Sequence, residues 1–226
     1  MSQSLEVEKQ LRAMILDMQL GPGERLTERW AEAQLGASRT PVRAALLRLE
    51  SEGLVCREGR GWMVTPINIA EIEQLFVYRE VLEVAAMRLT VADLDHAGLD
   101  DIEALLDDCG EEASAEETHR IGLEFHVRLA QLSGNEFISR GVADAMNRLA
   151  RTRWLEDDPI GHGWAEHRAV LAALRNGGGD GNGDSDGNTE HAVTLLQAHV
   201  RESRDRLLAV LRNGRRSFRA RGVMVA

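Results

Sequence analysis

Apolar residues recur every three or four positions along most of the chain, a helical rather than a strand pattern, and glycine and proline punctuate the recurrences. Val7, Leu11, Met14, Ile15 and Met18 predict a first helix over 4–18, stopped by Gly21-Pro22-Gly23. A short second helix is expected over 28–35, with Thr27 placed to cap its start and Gly36 to end it. The third is expected to begin at Thr40 or Pro41, because Thr40 can cap and proline suits a first helical position that needs no N–H, and to run to Glu52 ahead of Gly53. Its apolar stripe is Val42, Ala45, Leu46 and Leu49, which leaves Arg39, Thr40, Arg43 and Ala44 on the outer side. Residues 54–57 and 62–65 then read as two strands around Glu58-Gly59-Arg60-Gly61. Three helices followed by such a hairpin make a winged helix-turn-helix.

Past Pro66 the pattern changes to long helices. Asn68 with Glu71, and Ser114 with Glu117, have the spacing of capping boxes. Helices are expected from about 68 to 89, 98 to 109, 114 to 132, 136 to 155, 164 to 175 and 189 to 212, with no strand pattern among them. The fold class is therefore mainly α: a winged helix-turn-helix over 1–66 and an all-α antiparallel helical bundle over 67–226. Between two of these helices lies the Gly/Asp/Asn-rich stretch 176–188. Asp180, Asn182 and Asp184 alternate as in a calcium loop, but Ser185 stands where the sharp turn needs glycine and His191 where a bidentate glutamate is needed. A flexible interhelical insertion is the better reading.

The formal charge of -10 speaks at first against nucleic acid, because neutralising phosphates takes Lys and Arg. Its distribution removes the objection. Residues 1–66 hold nine basic and nine acidic side chains, so the whole deficit belongs to 67–226. From Gly36 to Leu49 there are three arginines, Arg39, Arg43 and Arg48, and no acid. Arg39 and Arg43, one turn apart at the start of the third helix, can enter a major groove, where a guanidinium matches guanine O6 and N7. Ser38 and Thr40 can donate to phosphates there, Arg29 can reach the backbone or a base edge, and Arg60 at the hairpin tip can touch the minor groove or a phosphate. The polar start, Met1–Lys9, and the absence of a long apolar run predict a cytoplasmic protein with no membrane span. Two cysteines without metal-knuckle spacing, Cys56 and Cys109, suit a reducing compartment.

Gly21-Pro22-Gly23-Glu24-Arg25-Leu26 with Glu28-Arg29, then Leu35 through Arg43, then Leu49 through Val55, resemble the DNA-binding domain of GntR-type bacterial regulators. The resemblance implies a homodimer bound to a short palindromic double-stranded operator through Arg29, Arg39, Arg43 and a wing tip at Arg60 and Gly61.

Three histidines, His126, His167 and His199, fall within separate helices beside core-type residues. Each can be a satisfied core histidine, or the three can meet on one divalent metal, imidazole being a ligand for zinc, nickel or copper. Phe125-His126 with Leu129, Ser133, Gly134 and Asn135, then Glu166-His167-Arg168, then His199, with Arg79 and Glu83, resemble the FCD ligand-binding domain of the fatty-acid-regulator branch of the same family. That resemblance implies an Asp and three His holding a metal, zinc or nickel being the expected ones, which in turn holds the carboxylate of a small organic-acid effector, with Arg79 in the effector pocket. Gly122 stands in the aspartate position, leaving a three-histidine site that His119 can supplement, or a metal-free pocket in which the histidines and Arg79 take the anion directly. The reading that results is a ligand-responsive transcription regulator, most readily a repressor. Its rivals are a metal-dependent enzyme, against which stands the lack of any carboxylate placed by a known spacing beside the histidines, and a DNA binder whose bundle only dimerises.

Overall fold

The computed structural model describes residues 2–90, 95–109, 113–152, 155, 161–177, 185–220 and 223–225. Among them run α1 (Gln3–Leu16), β1 (Arg25–Leu26), α2 (Glu28–Leu35), α3 (Arg39–Ser51), β2 (Val55–Glu58), β3 (Gly61–Val64), α4 (Ile69–Thr90), α5 (His96–Asp107), α6 (Ala115–Gln131), α7 (Glu136–Ala150), α8 (Gly161–Gly177) and α9 (Ser185–Ala220). The mainly helical fold with an N-terminal wing is as expected. The stretch 178–184, most of the expected flexible insertion, lies outside the described residues, whereas Ser185–Asn188 form the start of α9.

Two compact units form. The first comprises Met1–Ile72, Asn147–Leu155 and Leu208–Ala226; the second comprises Glu73–Met146 and Glu156–Leu207. In the first unit, Val7, Leu11 and Ile15 of α1 join Ala31 of α2, Val42, Ala45, Leu46 and Leu49 of α3, and Trp62 and Val64 of the wing in one core. Thr27 caps α2 by accepting from the Trp30 N–H at 3.1 Å, and Gly36 ends it in the left-handed conformation at φ 60°. Helix α3 starts at Arg39, ahead of the expected Thr40 or Pro41. Ser38 is its N-cap, so Pro41 is the third helical residue, a position whose N–H is still outside the helical ladder. The wing is a sheet of order β1-β3-β2, antiparallel throughout, with Arg25 opposite Met63 and Leu26 opposite Trp62. Strand β1 has no periodicity to betray it; pairing with β3 alone makes it a strand.

Distant segments complete this unit. Met224 donates its N–H to Pro22 O at 2.9 Å and accepts from Ile67 N at 3.0 Å, and Val225 bridges Ile67 in parallel. Gly23 (φ 89°) is required there, because a Cβ at this position would lie 2.6 Å from that of Met224. Arg151, buried beyond the end of α7, donates to Gly53 O, Thr65 O and Pro66 O at 3.4–3.5 Å and to the Glu71 carboxylate at 2.8 Å. The expected capping box at Asn68 is half formed for this reason: Asn68 accepts from Glu71 N, but the Glu71 carboxylate turns to Arg151. In the second unit α5 packs on α6 and α8, and α6 on α8. Ser114 caps α6, accepting from Glu117 N at 3.1 Å. The largest departures from the expected helix ends are at two C-termini: α7 stops at Ala150, five residues early, and α9 extends to Ala220 because Leu211 and Phe218 continue its buried stripe.

Candidate functional site

Two groups of side chains carry chemistry. The first is on α3. The side chains of Arg39 and Arg43 are 72% and 57% exposed, and both lean on Glu28 of α2, at 2.7 Å and 3.8 Å. Exposed pairs of this kind contribute about 0–1 kcal/mol, so exchanging Glu28 for a phosphate or a guanine edge costs little. Ser38, Thr40, Arg29 and Arg60 are exposed as well. Ser38 makes no side-chain capping bond, which leaves its hydroxyl for another partner. Arg48 belongs elsewhere: it turns to α1, donating to Glu8 at 2.9 Å and to Ser4 at 3.3 Å. Gly61 has a packing reason for being glycine, since a Cβ there would stand 3.1 Å from Leu26 O across the sheet. One residue of this face escaped the sequence reading. Leu47, a turn beyond Arg43, is 46% exposed and continues the outward surface.

The second group is buried in the second unit. α6 brings in His126, α8 His167 and α9 His199, while α4 supplies Arg79 and Glu83 one turn apart. The three Nε2 atoms form a near-equilateral triangle: 3.3 Å from His167 to His126, 3.2 Å from His167 to His199 and 3.2 Å from His199 to His126. Behind this triangle, His126 Nδ1 faces Glu83 at 2.7 Å and His199 Nδ1 faces Glu166 at 2.6 Å. A carboxylate at Nδ1 keeps the proton on that nitrogen, so both Nε2 lone pairs aim into the triangle. His167 lacks such a partner on Nδ1 and is held by stacking on Phe125, with ring centroids 4.0 Å apart, and by Trp164 at 5.9 Å.

No known spacing along the chain places a carboxylate beside the histidines, but the fold does. Glu83 and Glu166 are adjacent, brought there from other helices, a juxtaposition that spacing along the chain cannot express. Both lie on the Nδ1 side, where they orient the rings. His119 is not part of the metal-competent group, which among the described residues consists of His126, His167 and His199.

Electrostatics keep the rings of His126 and His167 neutral. Burial, reinforced by the Arg79 guanidinium, takes the His126 pKa down to about 3 against the pull of Glu83. Burial and the neighbouring histidines push His167 well below its ordinary value. Burial would raise Glu83, but Arg79 and His126 more than offset it and bring it to about 2. The hydrogen bond from His199 lowers Glu166. The neutral imidazole is the form that ligates a metal.

The donor set fits a metal. Three nitrogens on a tetrahedral zinc, at about 2.0–2.1 Å each, stand about 3.3 Å apart. Gly122 sits one turn before His126, and a Cβ there would meet only His167 Cε1 and Trp164 Cζ3, both at 3.9 Å. Gly163, one turn before His167, likewise has its Cβ position 4.0 Å from His199 Cε1. One further carbon therefore fits at either glycine in ordinary van der Waals contact beside the triangle. Arg79 adds a positive group inside the site: ion-paired to Glu83, it also places Nη2 2.7 Å from His126 Nε2.

Comparison with known proteins identifies a family for each part of the chain. The family described as "Bacterial regulatory proteins, gntR family" matches residues 3–64, and the FCD domain matches 74–184. The Nta operon transcriptional regulator of Aminobacter aminovorans is 30% identical over 203 residues, covering 88% of this chain and 91% of that protein. Among solved structures, a GntR regulator from Rhodococcus sp. RHA1 aligns with TM-score 0.73 at 25% identity, over 92% of this chain and 99% of its own. McbR/YncC of E. coli shares the fold at TM-score 0.72 and 23% identity, over 92% of this chain and 97% of that one. No described helix is long and apolar enough to cross a membrane.

Proposed function

Since the chain belongs to the gntR family of bacterial regulatory proteins and carries an FCD domain, we propose that it is a homodimeric repressor whose operator affinity responds to a small organic acid bound at the histidine triangle. On the operator, Arg39 and Arg43 leave Glu28 for base edges in the major groove. Leu47 offers apolar contact to a thymine methyl, while Ser38, Thr40, Arg29 and Arg60 hold phosphates or the minor groove. Repression then needs nothing beyond occupancy.

In the second unit His126, His167 and His199 would hold a divalent transition metal, zinc or nickel, which when bound supplies a Lewis-acidic point for carboxylate oxygen. Glu83 and Glu166 hold two of the rings in the ligating tautomer. Arg79, placed beside Nε2 of His126, takes the second carboxylate oxygen or a neighbouring hydroxyl of the acid. The space beside Gly122 admits acid or water oxygens where an aspartate would otherwise stand. Two helices that build the site, α4 and α9, also contribute residues to the first unit, so an acid that binds one of two conformational states better shifts the state of the DNA reader.

A second copy reads the second half-site. For its seat the exposed apolar face of α4 and α7 is the best support: Val77, Val81 and Phe137 are 57%, 62% and 85% exposed. Tyr78 lies over Gly141, joining the two helices into one surface. Replacing Val81 and Phe137 by Asp is expected to give monomers by sedimentation.

The observation that carries the effector reading is the convergence of three buried Nε2 atoms with Arg79 beside them. Its test is to select an operator from random duplexes and measure its affinity with metal-loaded protein across a panel of mono-, di- and hydroxycarboxylic acids. At least one acid should change the affinity several-fold, and the change should vanish in His167→Ala. If no acid moves either operator affinity or melting temperature, the bundle serves dimerisation alone. A metal-free version has one observation in its favour: Arg79 Nη2 already occupies a lone pair of His126 that a metal would take. In that version the acid effect survives chelation.

A further inference from the structure

Two helices that build the histidine site also end in the unit that holds the DNA reader. Helix α4 begins in the first unit and carries Arg79 and Glu83 in the second, while α9 carries His199 in the second and enters the first at Leu208. Within the first unit both lead to the same few atoms. Ile67, two residues before α4, donates its N–H to Met224 O at 3.0 Å, and Met224, four residues beyond α9, donates its own N–H to Pro22 O at 2.9 Å. Val225 bridges Ile67 in parallel. Helix α7 reaches the first unit as well, but it gives no side chain to the triangle or to the groups that hold its rings.

This joint is tight on both sides. Pro22 and Gly23 lie just ahead of β1, and the turn is stitched to the wing: Gly23 N donates to Val64 O at 2.9 Å and Val64 N to Glu24 O at 2.8 Å. Gly23 holds φ 89°, where a side chain would be strained, and a Cβ on it would stand 2.6 Å from Cβ and 3.2 Å from Cε of Met224. The turn of the reader is therefore shaped to the segment that crosses it. On the other side, Val223 and Ile67 are buried, and Val223 N bonds back to Phe218 O at 2.9 Å, which ties the segment to the end of α9. Backbone bonds of this kind fix position more closely than a side-chain contact, because neither partner has a rotamer to change.

We propose that the joint of Pro22–Gly23, Ile67 and Val223–Val225 is the element through which occupation of the histidine triangle acts on the DNA reader. The proposal rests on the reading of the triangle as a metal and effector site. His199 stands on α9 itself, so its engagement beside His126 and His167 restrains that helix, and the segment beyond the helix passes the restraint to the turn ahead of β1 and α2. Ile67 gives α4 the same attachment.

The test uses the full chain, with zinc alone as the probe. Wild type is compared with V223S/M224P/V225S, which withdraws the N–H that Pro22 accepts and the apolar side chains of the segment, and with M224L, which keeps the backbone bonds. Each is first shown by circular dichroism and melting to be folded; if the triple variant is not, M224P takes its place with the same expected outcomes. The first readout is amide hydrogen exchange by mass spectrometry. In wild type and M224L, zinc should slow exchange in α9 up to Leu207 and also in peptides covering 21–26 and 62–67, whereas in the triple variant the slowing should stop at Leu207. The second readout is affinity for an operator selected from random duplexes. Zinc should change it at least about fivefold in wild type and M224L and less than about twofold in the triple variant, with zinc uptake retained in all three. Equal slowing in the reader peptides, or an equal operator shift, in wild type and triple variant would overturn the proposal. A wild type that takes up zinc with no change in either readout would also overturn it, while leaving the metal centre standing. An M224L as uncoupled as the triple variant would overturn the backbone joint in favour of the methionine side chain. A wild type that takes up no zinc would remove the reading of the triangle and this proposal with it.

Discussion

Arg79 and Glu83 offer the sharpest energetic test of the buried site. Their side chains are only 4% and 1% exposed, they are ion-paired one turn apart on α4, and both touch His126. Removing one member strands the other's charge away from water, and breaking a buried pair in this way typically costs about 3–5 kcal/mol. Arg79→Met keeps the aliphatic bulk and leaves the Glu83 carboxylate with only His126. Glu83→Gln keeps an acceptor for His126 Nδ1 and leaves the guanidinium unpaired. The double variant strands no charge, so its loss should be far smaller than the sum of the singles. Urea unfolding of metal-stripped wild type, both singles and the double therefore should give a coupling energy of about 3 kcal/mol. Single losses that add to within about 0.5 kcal/mol would refute the claim that the two charges depend on one another for burial.

Three further outcomes follow from particular contacts. Gly122→Asp should fold without strain, since the new Cβ meets its neighbours only at 3.9 Å, and should raise zinc affinity roughly ten- to hundredfold by calorimetry, the scale on which ligand-supporting groups act; unchanged affinity would mean that position 122 does not face the metal. Arg43→Ala should cost about 1–3 kcal/mol on a selected operator and much less on random duplex, and equal losses on both would contradict base readout. Arg151→Met removes hydrogen bonds to Gly53 O, Thr65 O and Pro66 O and the nearer of two arginines paired with Glu71, and should lower the stability of the first unit by about 3 kcal/mol in thermal melts, while a neutral outcome would show the clamp to be dispensable.

Much of this was legible in the sequence because it is local. Thr27 and Gly36 bracket α2, Ser114 opens α6, and the spacing of Val42, Ala45, Leu46 and Leu49 puts Arg39 and Arg43 outward. The histidines could be set out as one group from their places on three helices, and family likeness favoured the metal; periodicity places each on a buried face but does not say that the three faces meet. What could not be read depends on distant segments. β1 exists because β3 pairs with it, Arg48 turns inward because Glu8 waits on α1, and Gly61 is small because the Leu26 carbonyl lies opposite. The charge of the reader is the clearest case. Counted along the chain, residues 1–66 are neutral; counted in space, the unit gains the arginines of two segments more than 80 residues away.

The central claim is that His126, His167 and His199 form a metal centre at the heart of a regulatory domain. It is tested most directly by calorimetric titration of chelator-stripped protein with zinc and with nickel, wild type beside the triple variant H126A/H167A/H199A. One metal per chain is expected at micromolar concentration or tighter in the wild type and none in the variant. A wild type that takes up no metal at micromolar concentrations, or a triple variant that binds as well, would contradict it.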